Sequence, residues 1–143
     1  MRVAVRSFEE LDAREAYAVW RLRQQVFVVE QDCPYPDLDG RDDEPGTRHV
    51  LLHDDDLLLG YARVLDDVDA WRIGRVVLDP GARGRGLADR LMTAALEACP
   101  DRDVVLDAQS PLATWYATFG FEVTGPEFVE DGIPHLPMRL SRN

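Results

Sequence analysis

The sequence predicts a mixed α/β fold: an α+β mixed sheet with mostly antiparallel strands in its N-terminal part and an α/β C-terminal half. Three observations carry that reading. Three β-patterned segments follow one another between His49 and Leu78 with only Asp-rich turns between them. A Gly/Arg-rich stretch then joins the last of them to a segment of helical spacing, and from there strand-like and helix-like runs alternate to the C-terminus. With 143 residues the chain has the size of one ordinary domain, and residues 1–143 are read as a single domain.

The elements follow in order. Val3 and Val5 alternate with Arg2, Ala4 and Arg6, a short strand, and Ser7 with Glu10 three residues on offers a capping box. Leu11, Val19, Leu22 and Val26 lie near one stripe and Ala13, Tyr17, Trp20 and Phe27 on an adjoining one, so a helix is expected over roughly Asp12 to Val26. From Asp32 to Arg48 three prolines, two glycines and no period mark a long loop, and ordered loops of that length are often functional. His49 to His53, Leu57 to Leu65 and Trp71 to Leu78 read as an antiparallel meander. Asp79-Pro80-Gly81 ends it. After Arg83-Gly84-Arg85-Gly86, the spacing of Leu87, Leu91, Ala94, Ala95 and Ala98 predicts a helix that Pro100 stops. Val104 to Leu106 reads as a strand, Pro111 to Phe119 as a short helix, and Phe121 to Thr124 and Leu136 to Leu140 as terminal strands.

Composition narrows the function. Sixteen basic against 27 acidic residues give 16 − 27 = −11, a field that repels nucleic acid and anionic lipid, so neither nucleic acid nor membrane is expected as a partner. All sixteen basic residues are Arg, read first as genomic bias, although Arg is the better bidentate anion ligand wherever it lands. Two cysteines are too few for a disulfide-stapled scaffold. Met1 to Arg6 lack an apolar leader and no run of about 18 apolar residues occurs, so a cytoplasmic location with reduced thiols is the expectation.

A strand that runs through a Gly/Arg turn into a helix gathers free backbone N–H groups and the positive end of a helix dipole at one point, which suits phosphate. Gly84 and Gly86 allow close backbone approach, and Arg83 and Arg85 add charge-assisted hydrogen bonds, which points to adenine nucleotides or coenzyme A. No Gly-Lys-Ser/Thr occurs, and Asp89 stands where a dinucleotide fingerprint needs Gly or Ala, so the pyrophosphate site is of another kind. No metal is expected: His49 and His53 lack partners at ligand spacing, and the acidic stretch Asp37 to Glu44 misses the calcium-loop register. That stretch reads as a solvated acidic loop first and as a rim attracting a cationic amine second. Ser110 lacks a nucleophile elbow and Cys33 a basic neighbour, which argues against covalent catalysis.

Arg83-Gly84-Arg85-Gly86-Leu87-Ala88 resembles the acetyl-CoA motif of the GNAT N-acetyltransferase superfamily, Arg/Gln-x-x-Gly-x-Gly/Ala. Tyr116-Ala117-Thr118-Phe119-Gly120-Phe121 is similar to that superfamily's Tyr-x-x-x-Gly-Phe segment. One branch, the ElaA-like acetyltransferases, is resembled by Leu22-Arg23, Val26-Phe27-Val28-Val29-Glu30-Gln31, Cys33-Pro34-Tyr35, Asp37 to Asp42 and Glu130 to His135. The resemblance implies the GNAT acyl-CoA N-acyltransferase fold and transfer of an acetyl group from acetyl-CoA to a primary amine of a small molecule or peptide, by direct attack in a ternary complex. It implies that Arg83, Gly84, Arg85, Gly86, Leu87 and Ala88 hold the pyrophosphate. Val76, Val77 and Leu78 would hold the pantetheine amides through their backbone, with Gln109 as a further cofactor contact.

Tyr116 is the implied acid for the departing thiolate, and Phe27, Glu30 and His135 fall on the acceptor side. The general base does not carry over: Arg72 stands where some members have Glu, leaving Glu30, His49, Asp107 and His135 as candidates. Two alternatives stay open. Arg23, Phe27 and Asp39 to Asp42 also resemble acyl-homoserine-lactone synthases, and the missing strand carboxylate would suit a CoA-binding module without catalysis. The family further suggests a homodimer.

Overall fold

The protein is described over residues 1–142 by a computed structural model. Strands β1 (Arg2–Arg6), β2 (Arg48–Asp54), β3 (Leu57–Asp66) and β4 (Ala70–Leu78) pair in sequence as an antiparallel meander. β5 (Asp103–Gln109) joins β4 in parallel, and β8 (Ile133–Leu140) then lies antiparallel to β5 and carries β6 (Glu122–Val123) and β7 (Phe128–Glu130). The β4–β5 junction is the only parallel pairing among the described residues, and it is short: Ala70↔Asp103, Trp71↔Val104 and Arg72↔Val105. Beyond Arg72 the two strands part, so residues 73–78 keep β3 on one side and no strand on the other.

Both faces of the sheet are covered, which is why β2 and β3 read as nearly continuous apolar runs. Alternate side chains go to opposite faces. Val50, Leu52, Val64 and Ile73 meet Leu91, Met92 and Ala95 of α2 (Leu87–Glu97), whereas Leu51, Tyr61 and Val77 meet Val19, Leu22 and Val26 on the other side. Those last three belong to α1 (Ala13–Arg23) and its continuation.

Several element boundaries differ from the sequence reading. The capping box that starts α1 is Asp12 with Glu15, whose reciprocal hydrogen bonds measure 2.8 and 3.1 Å. Ser7 and Glu10 make the same reciprocal pair, but it closes a turn rather than starting the helix. After Arg23 the helix widens into a π-helical segment, Gln24–Glu30, four residues past the predicted end. Its wider turn breaks the 3.6-residue period, and beyond Phe27 the β-branched pair Val28 and Val29 carries no helical signal of its own. β7 was not predicted, and β8 begins at Ile133 rather than Leu136, because Pro134 and Pro137 interrupt the strand pattern. Pro137 is tolerated there: it faces Asp107 of β5, and on its other side only its carbonyl is used, accepting from the Thr124 N–H at 2.9 Å. The expected helix at Pro111 to Phe119 is a 3₁₀ turn, Ser110–Leu112, followed by α3 (Ala113–Ala117).

The long loop before β2 is not a solvated acidic rim. Arg23 is fully buried, and its guanidinium binds Asp37 Oδ2 at 2.9 Å, Asp42 Oδ1 at 2.6 Å and the Asp37 carbonyl at 2.7 Å. Arg63 forks onto both Asp39 oxygens at 2.8 Å and reaches Asp42 at 3.2 Å. Arg75 Nε lies 2.9 Å from Asp37 Oδ1, off the hydrogen-bond line, while its Nη2 donates to the Asp37 carbonyl at 3.1 Å. Buried charges persist only when paired and hydrogen-bonded, and three Arg against three Asp meet that condition. Burial raises the Asp39 carboxyl, but the Arg63 fork outweighs it and holds that group well below the usual carboxylate range. The loop is thereby fixed to α1, β3 and β4.

Candidate active site

The site grows out of the parting of β4 and β5. Between the pairs Tyr61↔Val77 and Arg63↔Gly74, β3 has one residue and β4 has two, Arg75 and Val76, a bulge that bends the strand. Arg75 takes φ +53°, a left-handed backbone costing an L-residue about 1–2 kcal/mol, and its ties to Asp37 hold it there. Val77 is buried toward α1 while Val76 and Leu78 pack against the α2 core, so the side chains are anchored and the backbone edge facing away from β3 is unpaired.

At the end of β4, the Asp79 carboxylate accepts from the Gly81 N–H at 2.9 Å and closes a 3₁₀ turn, Pro80–Ala82. Gly84 and Gly86 follow at φ +76° and +73°, and Gly86 is the N-cap of α2 with no side chain bonded to the first-turn amides. A Cβ at either glycine would meet nothing within 4 Å, so the space over this backbone is open. Leu87 is buried and pins the turn to the core, Ala88 is half-buried, and Arg85 is exposed. Arg83 is already engaged: its Nη1 and Nη2 donate to the two Glu30 oxygens at 2.6 and 2.7 Å.

Tyr116 sits on α3, 7% exposed, against Trp115 at 4.8 Å and Phe121 at 6.2 Å between ring centroids. The Trp115 indole N–H donates to Asp89 in the first turn of α2 at 2.7 Å, which ties α3 to the glycine turn. Burial alone pushes the Tyr116 phenol up to about 12. Gln109 ends β5, donates to Gln31 at 3.2 Å and lies in register with His135, which stacks on Phe128 at 5.7 Å.

The structure thus brings Arg83, Glu30, Gln109 and His135 to the end where β4 and β5 have parted. Phe27 instead packs in the α1-side core. His49 is withdrawn beneath α1, with Nδ1 on the Tyr61 hydroxyl at 2.5 Å and Nε2 on the Asp42 carbonyl at 2.9 Å, and burial lowers its pKa. Asp107 is held by Arg72 at 3.2 Å, beside the last paired residues of the junction. The bulge, the π-helical segment and the buried charge cluster escaped the sequence reading; the one available signal was Arg23 and Arg63 on otherwise apolar faces.

An unpaired strand edge receives an amide-bearing chain by strand addition, and uncapped amides at a left-handed glycine turn receive a phosphate. A surface groove of about 700 Å³ lies elsewhere, between β1 and α2 around Val3, Val5, Arg90 and Thr93, and has none of these features. Among the described residues no three His, Cys, Asp or Glu side chains stand together as a metal site, and no helix is long and apolar enough to cross a membrane.

Residues 15–142 match the family model of the acetyltransferase (GNAT) domain. Protein ElaA of Escherichia coli is 43% identical over 136 residues, 90% of this chain and 89% of that protein. The crystal structure of E. coli ElaA superposes with a TM-score of 0.94 at 39% identity, covering 99% of this chain and all of that one. An acyl-CoA N-acyltransferase from Pseudomonas aeruginosa does so with a TM-score of 0.94 at 40% identity, covering 98% and 99%. The CoA-dependent acyl-homoserine lactone synthase BjaI shares the fold alone, at 18% identity and a TM-score of 0.79. Fold and family together define an acyltransferase of the kind that draws on acyl-CoA. More narrowly, the chain belongs to the ElaA-like members of the GNAT acetyltransferase family.

Proposed function

We propose that this protein, acting as one domain, transfers the acetyl group of acetyl-CoA to a primary amine by direct attack in a ternary complex. The observation that carries the reading is the parting of β4 and β5 beyond Arg72, with the open glycine turn at the end of the exposed strand edge. In this reading the backbone amides from Arg83 to Ala88 hold the pyrophosphate and the free edge of Val76 to Leu78 pairs with the pantetheine amides. Gln109 contacts the donor from the other lip.

The amine nitrogen, freed of its ammonium proton, attacks the thioester carbonyl carbon, and the C–S bond breaks as the C–N bond forms. Sulfur departs with the electron pair. In this reading Tyr116 is the donor to it, and its phenol, pushed up to about 12 by burial, stays protonated at any ordinary pH. A thiol near 8.5 is the stronger acid, so Tyr116 acts chiefly by hydrogen-bonding the developing thiolate, and the amine's second proton balances the exchange. His135 and Glu30 are the titratable groups on the acceptor side, and Arg72 supplies no carboxylate on β4. The acceptor is a small-molecule or peptide amine, the setting cytoplasmic, and assembly as a homodimer follows the family resemblance.

The test is release of free coenzyme A thiol from acetyl-CoA across a panel of primary amines, with donor binding measured in parallel. Amine-dependent release supports the reading. Binding without release by any amine makes the protein a CoA-binding module, and no binding at millimolar acetyl-CoA overturns the reading altogether.

A further inference from the structure

Two successive residues bridge the mouth of the cleft. Glu30, the last residue of the π-helical segment, reaches Arg83 on the lip that follows β4, and Gln31 reaches Gln109 at the end of β5. The Glu30–Arg83 contact is fork on fork, the geometry by which an arginine recognises a phosphate, but here a carboxylate of the same chain fills it. Both side chains are open to solvent, 44% and 43% exposed, so an incoming ligand can reach the pair. The Arg83 guanidinium holds the Glu30 carboxyl below its ordinary range, which keeps it anionic. Arg85, the other guanidinium of the turn, makes no ion pair among the described residues, so Arg83 alone is committed before any anion arrives.

We propose that Glu30 and the donor's pyrophosphate compete for Arg83, so that donor binding releases the Glu30 carboxylate to bind the ammonium of the acceptor. This rests on the reading of the glycine turn as the acyl-CoA cradle. Glu30 occupies both Nη1 and Nη2 of Arg83, the fork that a phosphate would take, and a carboxylate displaced at a helix C-terminus, where the dipole is negative, favours a cation. The two substrates are then coupled: whatever factor the donor adds to acceptor affinity, the acceptor returns to the donor.

Isothermal titration with coenzyme A, in the absence of any amine, tests the exchange. Glu30→Gln binds coenzyme A about two- to fivefold tighter than wild type, the factor that corresponds to the loss of an exposed ion pair. Arg83→Gln binds more weakly, and Glu30→Gln changes nothing in that background. Unchanged or weaker binding by Glu30→Gln overturns the exchange, and so does the same tightening without Arg83, which would mark a general charge effect. If wild type fails to bind coenzyme A, the cradle reading itself falls, a result distinct from binding that Glu30→Gln does not improve. For the panel amine that gives the fastest thiol release, Glu30→Gln raises KM for the amine more than it lowers kcat. An unchanged KM overturns the acceptor half, and absence of turnover in wild type overturns it together with the proposed function.

Discussion

Replacing Gly86 by Ala separates folding from donor binding. Gly86 sits at φ +73°, where an L-residue costs about 1–2 kcal/mol relative to glycine. No packing cost is added, because the new Cβ meets nothing within 4 Å. At about 3 °C per kcal/mol for a chain of this size, the melting temperature falls by about 3–6 °C and the fold survives. In the proposed reading the same methyl intrudes on the open space at the uncapped start of α2 that a phosphate oxygen would use. Losing two hydrogen bonds to a charged group, at about 1.5 kcal/mol each, removes about 3 kcal/mol, or about a hundredfold in Kd. Differential scanning fluorimetry gives the first quantity and isothermal titration with acetyl-CoA the second. A variant that melts as expected yet binds acetyl-CoA like wild type would refute the cradle.

Three further outcomes follow from the same geometry. Arg23→Met removes the fully buried guanidinium of the ion cluster and leaves Asp37 and Asp42 short of a partner, at about 3–5 kcal/mol, read as a fall of about 10–15 °C in Tm; a loss below about 1 kcal/mol would show that the cluster does not hold the loop. Tyr116→Phe lowers kcat by about a hundredfold with acetyl-CoA affinity unchanged, and wild-type kcat shows no descending limb below about pH 11 because the phenol lies near 12; a limb near pH 9 would assign the acid elsewhere. His49 is held neutral by burial, with a folded pKa below its unfolded value of about 6.5, so the unfolded chain takes up the proton first. Stability is complete above about pH 6.5 and declines as pH falls toward the folded value, with His53 acting in the same sense; a flat Tm between pH 7 and 5 would contradict this.

Much of this was legible in the residues because local pattern and tertiary role agree. Leu87, Leu91 and Ala95 keep helical spacing because α2 packs on the sheet, and Gly84 and Gly86, read as leaving room for close backbone approach, have open space where a Cβ would stand. Illegible features were those fixed by distant partners. Asp37 and Asp42 look solvated until Arg23 and Arg63 fold onto them from α1 and β3, and nothing local tells a paired acid from a free one. The bulge at Arg75 lacks the glycine that usually marks a left-handed strand residue, because ties to Asp37 substitute for conformational freedom. The grouping of Glu30, Arg83, Gln109 and His135 needs four segments far apart in sequence. The opening between β4 and β5 is set by how few residues pair there, which no periodicity records.

The most direct measurement is a titration of ¹⁵N-labelled protein with acetyl-CoA, read amide by amide. The account predicts that the largest changes fall on the unpaired edge at Val76 to Leu78 and on the turn from Arg83 to Asp89. No changes at millimolar acetyl-CoA, or changes centred on the groove at Val3, Val5, Arg90 and Thr93, would contradict it.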